Sequence, residues 1–598
     1  MPNPNVATAL PLPPAAPNKR RGPPPLSMAA WKQFYSVAKP YWLGDKKKAA
    51  WSSLAILIVL MLAETQFAVM LNQQTGEMTS ALAGREADRF WASVRACLYI
   101  LAFAVPIYAF YYYMRDAFAN YWRRWLTGRF LDGYLGGRKY YALSTNFDKT
   151  SDIDNPDQRI SEDINTFTGR STHFLLIFLG SLMQLVAFGA VLWSISHLLV
   201  GFLALYTIIG TVVALWVFGA PLITLNFWQL RREADFRFGL MRVRENAESI
   251  AFYRGEAQER TRVDRQFNAA FSNFARLIKT QRSLNLFQRA FSQLTLVIPS
   301  VILADGVLSG ELEVGRAVQA AGAFAAVLGA VSLIVDNFES LSRFVAGIGR
   351  LHALSAQVLA QVPSTPAAKQ ESQLIQTRVG DCIALEALTL QTPQRDRVLI
   401  KDLSLSLAPG EGLLIVGVSG CGKSSLLRAI AGLWRSGTGV VQHPPMEDVF
   451  FLPQRPYMQF GTLRSQLIYP NAATSLSDER LLEIMDEVHL PGLAERVGGL
   501  DAEQDWEKWL SVGEQQRLAF ARVLVQQPRI VILDEATSAL DAANEAALYQ
   551  RLKDSQTTLI SIAHRPAVLA FHTQVLQLKG GGEWALHKAS DYDFEAQS

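Results

Sequence analysis

The chain has 598 residues, half of them hydrophobic and 18% charged, with a formal net charge of +4. That length exceeds a single domain, the apolar share leans towards a membrane protein, and so small a positive balance gives no support to a nucleic-acid partner. Its cysteines, Cys97, Cys382 and Cys421, are scattered and frame neither disulfides nor a metal site.

Residues 1–27 are rich in Pro, Ala and Asn, carry a basic cluster at Lys19-Arg20-Arg21, and lack an apolar core ahead of a cleavage site. They read as a disordered cytoplasmic tail and not as a signal peptide. From Met28 to Trp42 the pattern is amphipathic, with Trp31, Phe34, Tyr35, Tyr41 and Trp42, and Lys46-Lys47-Lys48 follow a break at Gly44-Asp45. Aromatics beside lysines suit a helix lying at a membrane surface. Six apolar stretches come next, at 52–72, 92–114, 174–196, 198–219, 285–307 and 315–337. Each is near the ~20 residues that span a bilayer. Polar and small residues interrupt them, as in bundle helices, and Pro106 and Pro299 are candidate kinks.

The segments after the first, third and fifth stretches are shorter and poor in Lys and Arg. Those after the second and fourth are long and basic, with Arg115, Arg123, Arg124, Arg129, Arg138 and Lys139 in one and Arg231, Arg232, Arg237, Arg242 and Arg244 in the other. The positive-inside rule assigns these segments, and both termini, to the cytoplasm. Their helix-friendly composition predicts that spans two to five continue as helices into the cytoplasm, and that the sixth runs on through Glu339 to about Val358. Asp305, Asp336, Gln184 and Gln293 lie in or near spans and are candidates for a water-filled path. Tyr108 and Tyr111 to Tyr113 read as an interfacial aromatic belt. Residues 28–358 are thus the expected membrane domain. Residues 359–379, with Pro363 and Pro366, are the expected linker, and 380–598 an α/β domain of short strands and Gly-marked turns.

That last domain is organised around Gly417-Val418-Ser419-Gly420-Cys421-Gly422-Lys423-Ser424, a G-x-x-x-x-G-K-S pattern between the apolar run 413–416 and a helix-forming stretch. Such glycines let backbone N–H groups turn inward around phosphate oxygens at the positive end of a helix. Gly417, Ser419, Gly420, Cys421, Gly422, Lys423, Ser424 and Ser425 are therefore the candidate ATP-binding residues. Lys423 would reach the β- and γ-phosphates and Ser424 would hold Mg2+. Cys421 is a small filler there, with thiol-sensitive ATPase activity as a side expectation. Downstream, 530–533 is an apolar run ending in Asp534-Glu535: Asp534 for Mg2+, Glu535 to polarise the attacking water. Gln454, after another apolar run, can reach both the metal and that water. His564, at the end of 558–562, can donate to the γ-phosphate. The fold class is multidomain: an all-α six-helix transmembrane domain with long cytoplasmic helical extensions, followed by an α/β P-loop domain.

Leu510-Ser511-Val512-Gly513-Glu514 opens a helix and has the form of an ABC signature, and the P-loop domain from 380 to about 580 resembles an ATP-binding cassette. The resemblance implies that two cassettes sandwich two ATP molecules, with Ser511 and Gly513 facing the γ-phosphate held by the other P-loop. Asp541, in Ser538-Ala539-Leu540-Asp541, matches the loop that crosses between cassettes. One cassette per chain implies a homodimer. Two departures stand out. Val512 and Glu514 replace the usual Gly and Gln, which predicts an active but slow site. No aromatic precedes the strand at 398–403, leaving Arg395, Arg397 or Pro393 for adenine.

The whole chain resembles an exporter-type ABC half-transporter. The runs Tyr41-Trp42, 122–127, 155–160, 244–253, 452–457 and 461–464 are similar to the family joining subfamily D (peroxisomal and lysosomal) to BacA-related bacterial peptide and cobalamin importers. Val335-Asp336-Asn337-Phe338 and the Gly-Ala-rich sixth span resemble the bacterial branch. The resemblance implies an ATP-driven transporter of hydrophilic solutes such as cobalamin or peptides, in a bacterial inner membrane; the other branch implies fatty acyl-CoA. Segments 155–165 and 240–255 would couple cassettes to spans, with Glu245 and Glu248 pairing cassette arginines. Glu535 argues against a non-pumping ATP-gated channel or regulator, and the six spans against a soluble ATPase.

Overall fold

The computed structural model describes residues 28–144, 156–359, 374–471 and 476–594. The tail at 1–27 and most of the expected linker lie outside them. The chain divides into two compact units, Met1–Gln361 and Val362–Ser598.

The first unit is helical: α1 Met28–Leu43, α2 Lys47–Ala83, α3 Ala87–Leu135, α4 Lys139–Ser144, α5 Pro156–Gln158, α6 Ile164–Ile195, α7 His197–Val213, α8 Ala220–Glu245, α9 Ala247–Tyr253, α10 Glu256–Leu308, α11 Val314–Asp336 and α12 Phe338–Val358. Six helical segments are long and apolar enough to cross a membrane, and they contain the six stretches read from the sequence, save the last residue of the third and the last few of the sixth. At 1.5 Å per residue, the 53 residues of α10 reach about 80 Å, well beyond a hydrocarbon core of about 30 Å. The helical continuations are therefore real, and Pro106 and Pro299 end neither α3 nor α10. The sixth differs from expectation. It stops at Asp336 and restarts at Phe338. Asn337 between them turns its side chain back onto the Leu333 carbonyl at 2.8 Å, a local bond that competes with helix propagation.

Helix α1 docks through aromatics. Tyr41 stacks on Trp122 at 5.2 Å and 10°, and Trp42 meets Trp51 edge-on at 5.5 Å. Trp122 is 1% exposed, so α1 belongs to the core of this unit. A second apolar cluster joins Phe188 and Leu192 of α6, Leu199 and Leu203 of α7, Leu303 of α10 and Phe324 of α11.

The second unit carries two sheets, ordered β1-β5-β2-β3 and β10-β9-β4-β8-β7-β6. The strands are β1 Gln376–Val379, β2 Ile383–Gln391, β3 Val398–Leu407, β4 Gly412–Gly417, β5 Gly437–His443, β6 Val449–Leu452, β7 Ile530–Asp534, β8 Thr558–Ile562, β9 Gln574–Gly580 and β10 Glu583–Lys588. In the second sheet β9, β4, β8, β7 and β6 run parallel. The inner strands are continuous apolar runs because both faces are covered. Register aligns Ile415 with Ile562, Ile562 with Asp534, and Leu533 with Leu452. The carboxyl ends of four strands therefore open on one edge, where parallel α/β sheets place their ligands.

Candidate active site

Gly417 closes β4 with φ 147°, and a Cβ there would lie 2.3 Å from the Leu578 carbonyl oxygen. Glycine is thus required by both conformation and space. The loop leads into the helix Lys423–Ile430, so its N–H groups face the strand-end edge. Lys423 is buried, and its Nζ donates to the carbonyls of Gly417 (2.6 Å) and Val418 (3.3 Å). Ser419 and Gly420 are exposed, while Gly422, Ser424 and Ser425 are half-buried. Cys421 is 2% exposed, its sulfur packed towards Gly417. It is the filler expected, and its burial argues against ready attack by thiol reagents.

Across the edge, Ser424 Oγ donates to Asp534 Oδ1 at 3.4 Å. Burial pushes the Asp534 carboxyl above its ordinary range; the Glu535 charge adds to that, and the Ser424 bond and the Arg428 and Lys423 charges oppose it. A divalent cation would reverse this balance, so the Ser424–Asp534 pair fits a metal. Glu535 sits in the left-handed region (φ 51°) at the end of β7, a local cost that ordinarily persists only where surroundings enforce it. Its carboxylate is held from both sides: Gln454 Nε2 donates to Oε2 at 3.0 Å, and His564 Nε2 lies 3.1 Å from Oε1. The edge thus gathers residues from four separate strand ends.

Ser511 and Gly513 stand apart from this cluster: among the described residues no hydrogen bond joins them to the P-loop. Ser511 caps the helix Val512–Gln526, and Glu514 completes a reciprocal capping box. Asp541 caps Ala542–Asp554, accepting from the Asn544 N–H at 2.8 Å, and this bond draws its carboxyl below the ordinary range.

Three supporting residues escaped the sequence reading. Gln516, 2% exposed, donates towards the Gln454 carbonyl (3.3 Å) and Ser538 Oγ (3.4 Å) and accepts from the Ala539 N–H (3.0 Å). It ties the signature helix to two site loops. Helical spacing held a signal, since Gln516 shares a face with the buried Phe520 and Val523. Arg565 bonds the Leu540 carbonyl and Glu545, fixing the loop before Asp541. Arg522 is buried on the carbonyls of Gln466 and Tyr457, and burial draws its guanidinium down to about 10. In the membrane unit, Glu64 of α2 lies beside Tyr108 and Tyr111 of α3. Its carboxylate, inside the first apolar stretch, was signal enough. Of the path candidates, Gln184 lines a cavity, Asp305 and Gln293 are exposed, and the side chain of Asp336 is not among those described.

The family described as ABC transporter transmembrane region 2 matches residues 39–308, and that described as ABC transporter matches 400–538. The chain is 47% identical over 541 residues to an uncharacterized ABC transporter ATP-binding protein of Synechocystis sp., covering 90% of this chain and 81% of the relative. It is 33% identical over 584 residues to the lysosomal cobalamin transporter ABCD4 of Homo sapiens (90% and 94% covered). It is 28% identical over 557 residues to the inner membrane ABC transporter ATP-binding protein YddA of Escherichia coli (90% and 95% covered). Likeness of this extent, together with the edge geometry and the six spans, shows that the chain belongs to the ABC transporter family and is a multi-pass membrane half-transporter that binds and hydrolyses ATP.

Proposed function

We propose that the chain works as a homodimer in a bacterial inner membrane, with cassettes and both termini cytoplasmic, and imports hydrophilic solutes such as cobalamin or peptides. The observation that carries the ATP-driven part is the Glu535 carboxylate clamped between Gln454 and His564 beside the Ser424–Asp534 pair. Glu535 takes the proton of the attacking water. Gln454 and His564 hold that carboxylate in place and meet the water and the γ-phosphate. Gly417 to Ser425 wrap the phosphates, Lys423 turning from the loop carbonyls to the anion. Ser424 and Asp534, with Gln454, would hold Mg2+, which would supply positive charge to the phosphoryl oxygens. Ser511, Gly513 and Asp541 of one chain complete the site of the other, so ATP favours the closed pair and hydrolysis releases it. Residues 28–358 form the membrane domain, and the linker expected at 359–379 ends earlier, because Gln376–Val379 pairs with β5 as the first strand of the cassette. The printed names of the human and Escherichia coli relatives support the cargo and the membrane respectively.

The test is ATP-dependent movement of cyanocobalamin in proteoliposomes whose cassettes face the bath. An importer empties preloaded vesicles, and Glu535→Gln lowers both transport and ATP turnover by roughly 100-fold or more. Turnover unchanged in Glu535→Gln would contradict the assignment. Normal turnover without cyanocobalamin movement in either direction discards that cargo.

A further inference from the structure

The membrane unit holds a cavity of about 530 Å3 between α6, α7, α10 and α11. Gln184 lies eleven residues before the outer end of α6 at Ile195, and Thr207 ten residues after the start of α7 at His197. Both offsets equal about 15 Å, which puts these two residues near the midplane of a bilayer core of about 30 Å, while Phe291 and Phe287, 17 and 21 residues before the end of α10 at Leu308, extend the cavity roughly 10–16 Å further towards the other face. None of the residues lining it is Asp, Glu, Lys, Arg or His. Its polar groups are the amides of Gln184 and Gln288 and the hydroxyls of Thr207, Thr211, Ser292 and Ser332.

One wall is aromatic and locked. The Phe291 ring stacks on Tyr206 at 4.0 Å and 6°, and on Phe287 at 5.7 Å and 26°. Tyr206 Oη donates to the Phe291 carbonyl at 2.7 Å. The ring lies directly on Gly210, where a Cβ would come within 2.2 Å of it. The α11 side is floored by Ala325, Ala326, Gly329 and Ala330. Polar side chains between membrane helices commonly serve as glue, and Tyr206 does so here, while Thr207 is satisfied by the Leu203 carbonyl on its own helix. Gln184 is different: among the described residues its amide has no hydrogen-bond partner, although it points into a cavity at mid-membrane depth.

We propose that this cavity is a solute subsite for an uncharged moiety that combines a flat apolar face with amide or hydroxyl groups. The face lies against Phe287 and Phe291, and the polar groups pair with Gln184 and Thr211. The volume suits a small solute or one part of a larger one. A polyanion such as an acyl-CoA finds no cation here to pair its phosphates, which recognition of such groups ordinarily requires. The inference rests on the import reading only for its choice of probes.

The experiment measures solute-stimulated ATPase activity of the full chain in lipid nanodiscs with cyanocobalamin, an uncharged acetylated peptide amide and palmitoyl-CoA. At least one of the first two stimulates, and its half-saturating concentration rises about three- to tenfold in both Gln184→Leu and Thr211→Val. Leu205→Ala, on the exposed face of α7, leaves it in place. An unshifted half-saturating concentration in both variants overturns the subsite even while vesicle transport continues, leaving the import reading intact. Stimulation by palmitoyl-CoA alone overturns the uncharged class if Gln184→Leu shifts it, and overturns both the subsite and the import reading if it does not. Silence of all three probes overturns the proposed solute class.

Discussion

Glu514 shows how one residue changes the chemistry around it. Its Oε2 accepts from the Ser511 N–H (2.9 Å) and hydroxyl (2.8 Å), and its Oε1 accepts from Arg496 at 2.7 Å. Arg496 in turn lies over Trp509 at 5.3 Å. Burial pushes the Glu514 carboxyl up, but the bonds from Arg496 and Ser511 outweigh it and the net shift is downward. A fixed negative charge therefore sits at the helix end that the proposed dimer would turn towards the partner's phosphate, and it occupies the hydroxyl that a γ-phosphate would use there. Glutamine in its place keeps an acceptor for the cap and removes the charge. The expected result for Glu514→Gln is a severalfold lower KM for ATP, read from steady-state ATPase curves. An unchanged or raised KM would show that the Arg496 pair already neutralises the site.

Between elements, small residues decide how closely helices approach. Helices α2 and α11 meet at Gly76 and Gly315, where a Cβ on Gly315 would stand 2.0 Å from the Gly76 carbonyl oxygen and 2.3 Å from Ser80 Oγ. The Gly315 N–H donates to Ser80 Oγ at 3.0 Å, and Asn72 Nδ2 donates to the Gln319 carbonyl at 3.0 Å. This is close packing by small residues with interhelical hydrogen bonds, the main source of cohesion where water is absent. Gly315→Leu is expected to cost roughly 1–3 kcal/mol, seen as a lower melting temperature of the detergent-solubilised full chain. Gly189→Leu in α6, where an added Cβ meets nothing within 4 Å, should leave that temperature nearly unchanged. In sequence the two glycines look alike, each within an apolar stretch. Only the neighbouring helix separates them, which is why spans are readable from composition and their packing faces are not.

For the whole molecule, the proposed homodimer would place the two halves of each ATP site on different chains. Lys423→Ala removes a P-loop and Ser511→Arg blocks a signature, so each variant alone should be nearly inactive. Co-reconstituted at equal amounts, half the dimers are mixed and each holds one intact site. Activity near a quarter of wild type is expected if the sites turn over independently. Mixtures no more active than either variant alone would place both halves within one chain and sink the two-chain site.

Hydropathy over some twenty residues and short motifs are local properties, so the order of the chain was legible without coordinates: an aromatic-rich first helix, six spans, then a P-loop domain with Asp534-Glu535 at a strand end. What the sequence could not say is which distant residues meet. Gln454, Glu535 and His564 are joined by the register of β6, β7 and β8, a consequence of parallel pairing that no local pattern encodes. The break at Asn337, the burial of Gln516 against two loops, and the uncharged cavity below Phe291 likewise depend on neighbours supplied by other elements. Local free energies chose the elements; the mutual exclusion of their side chains in close packing set the site.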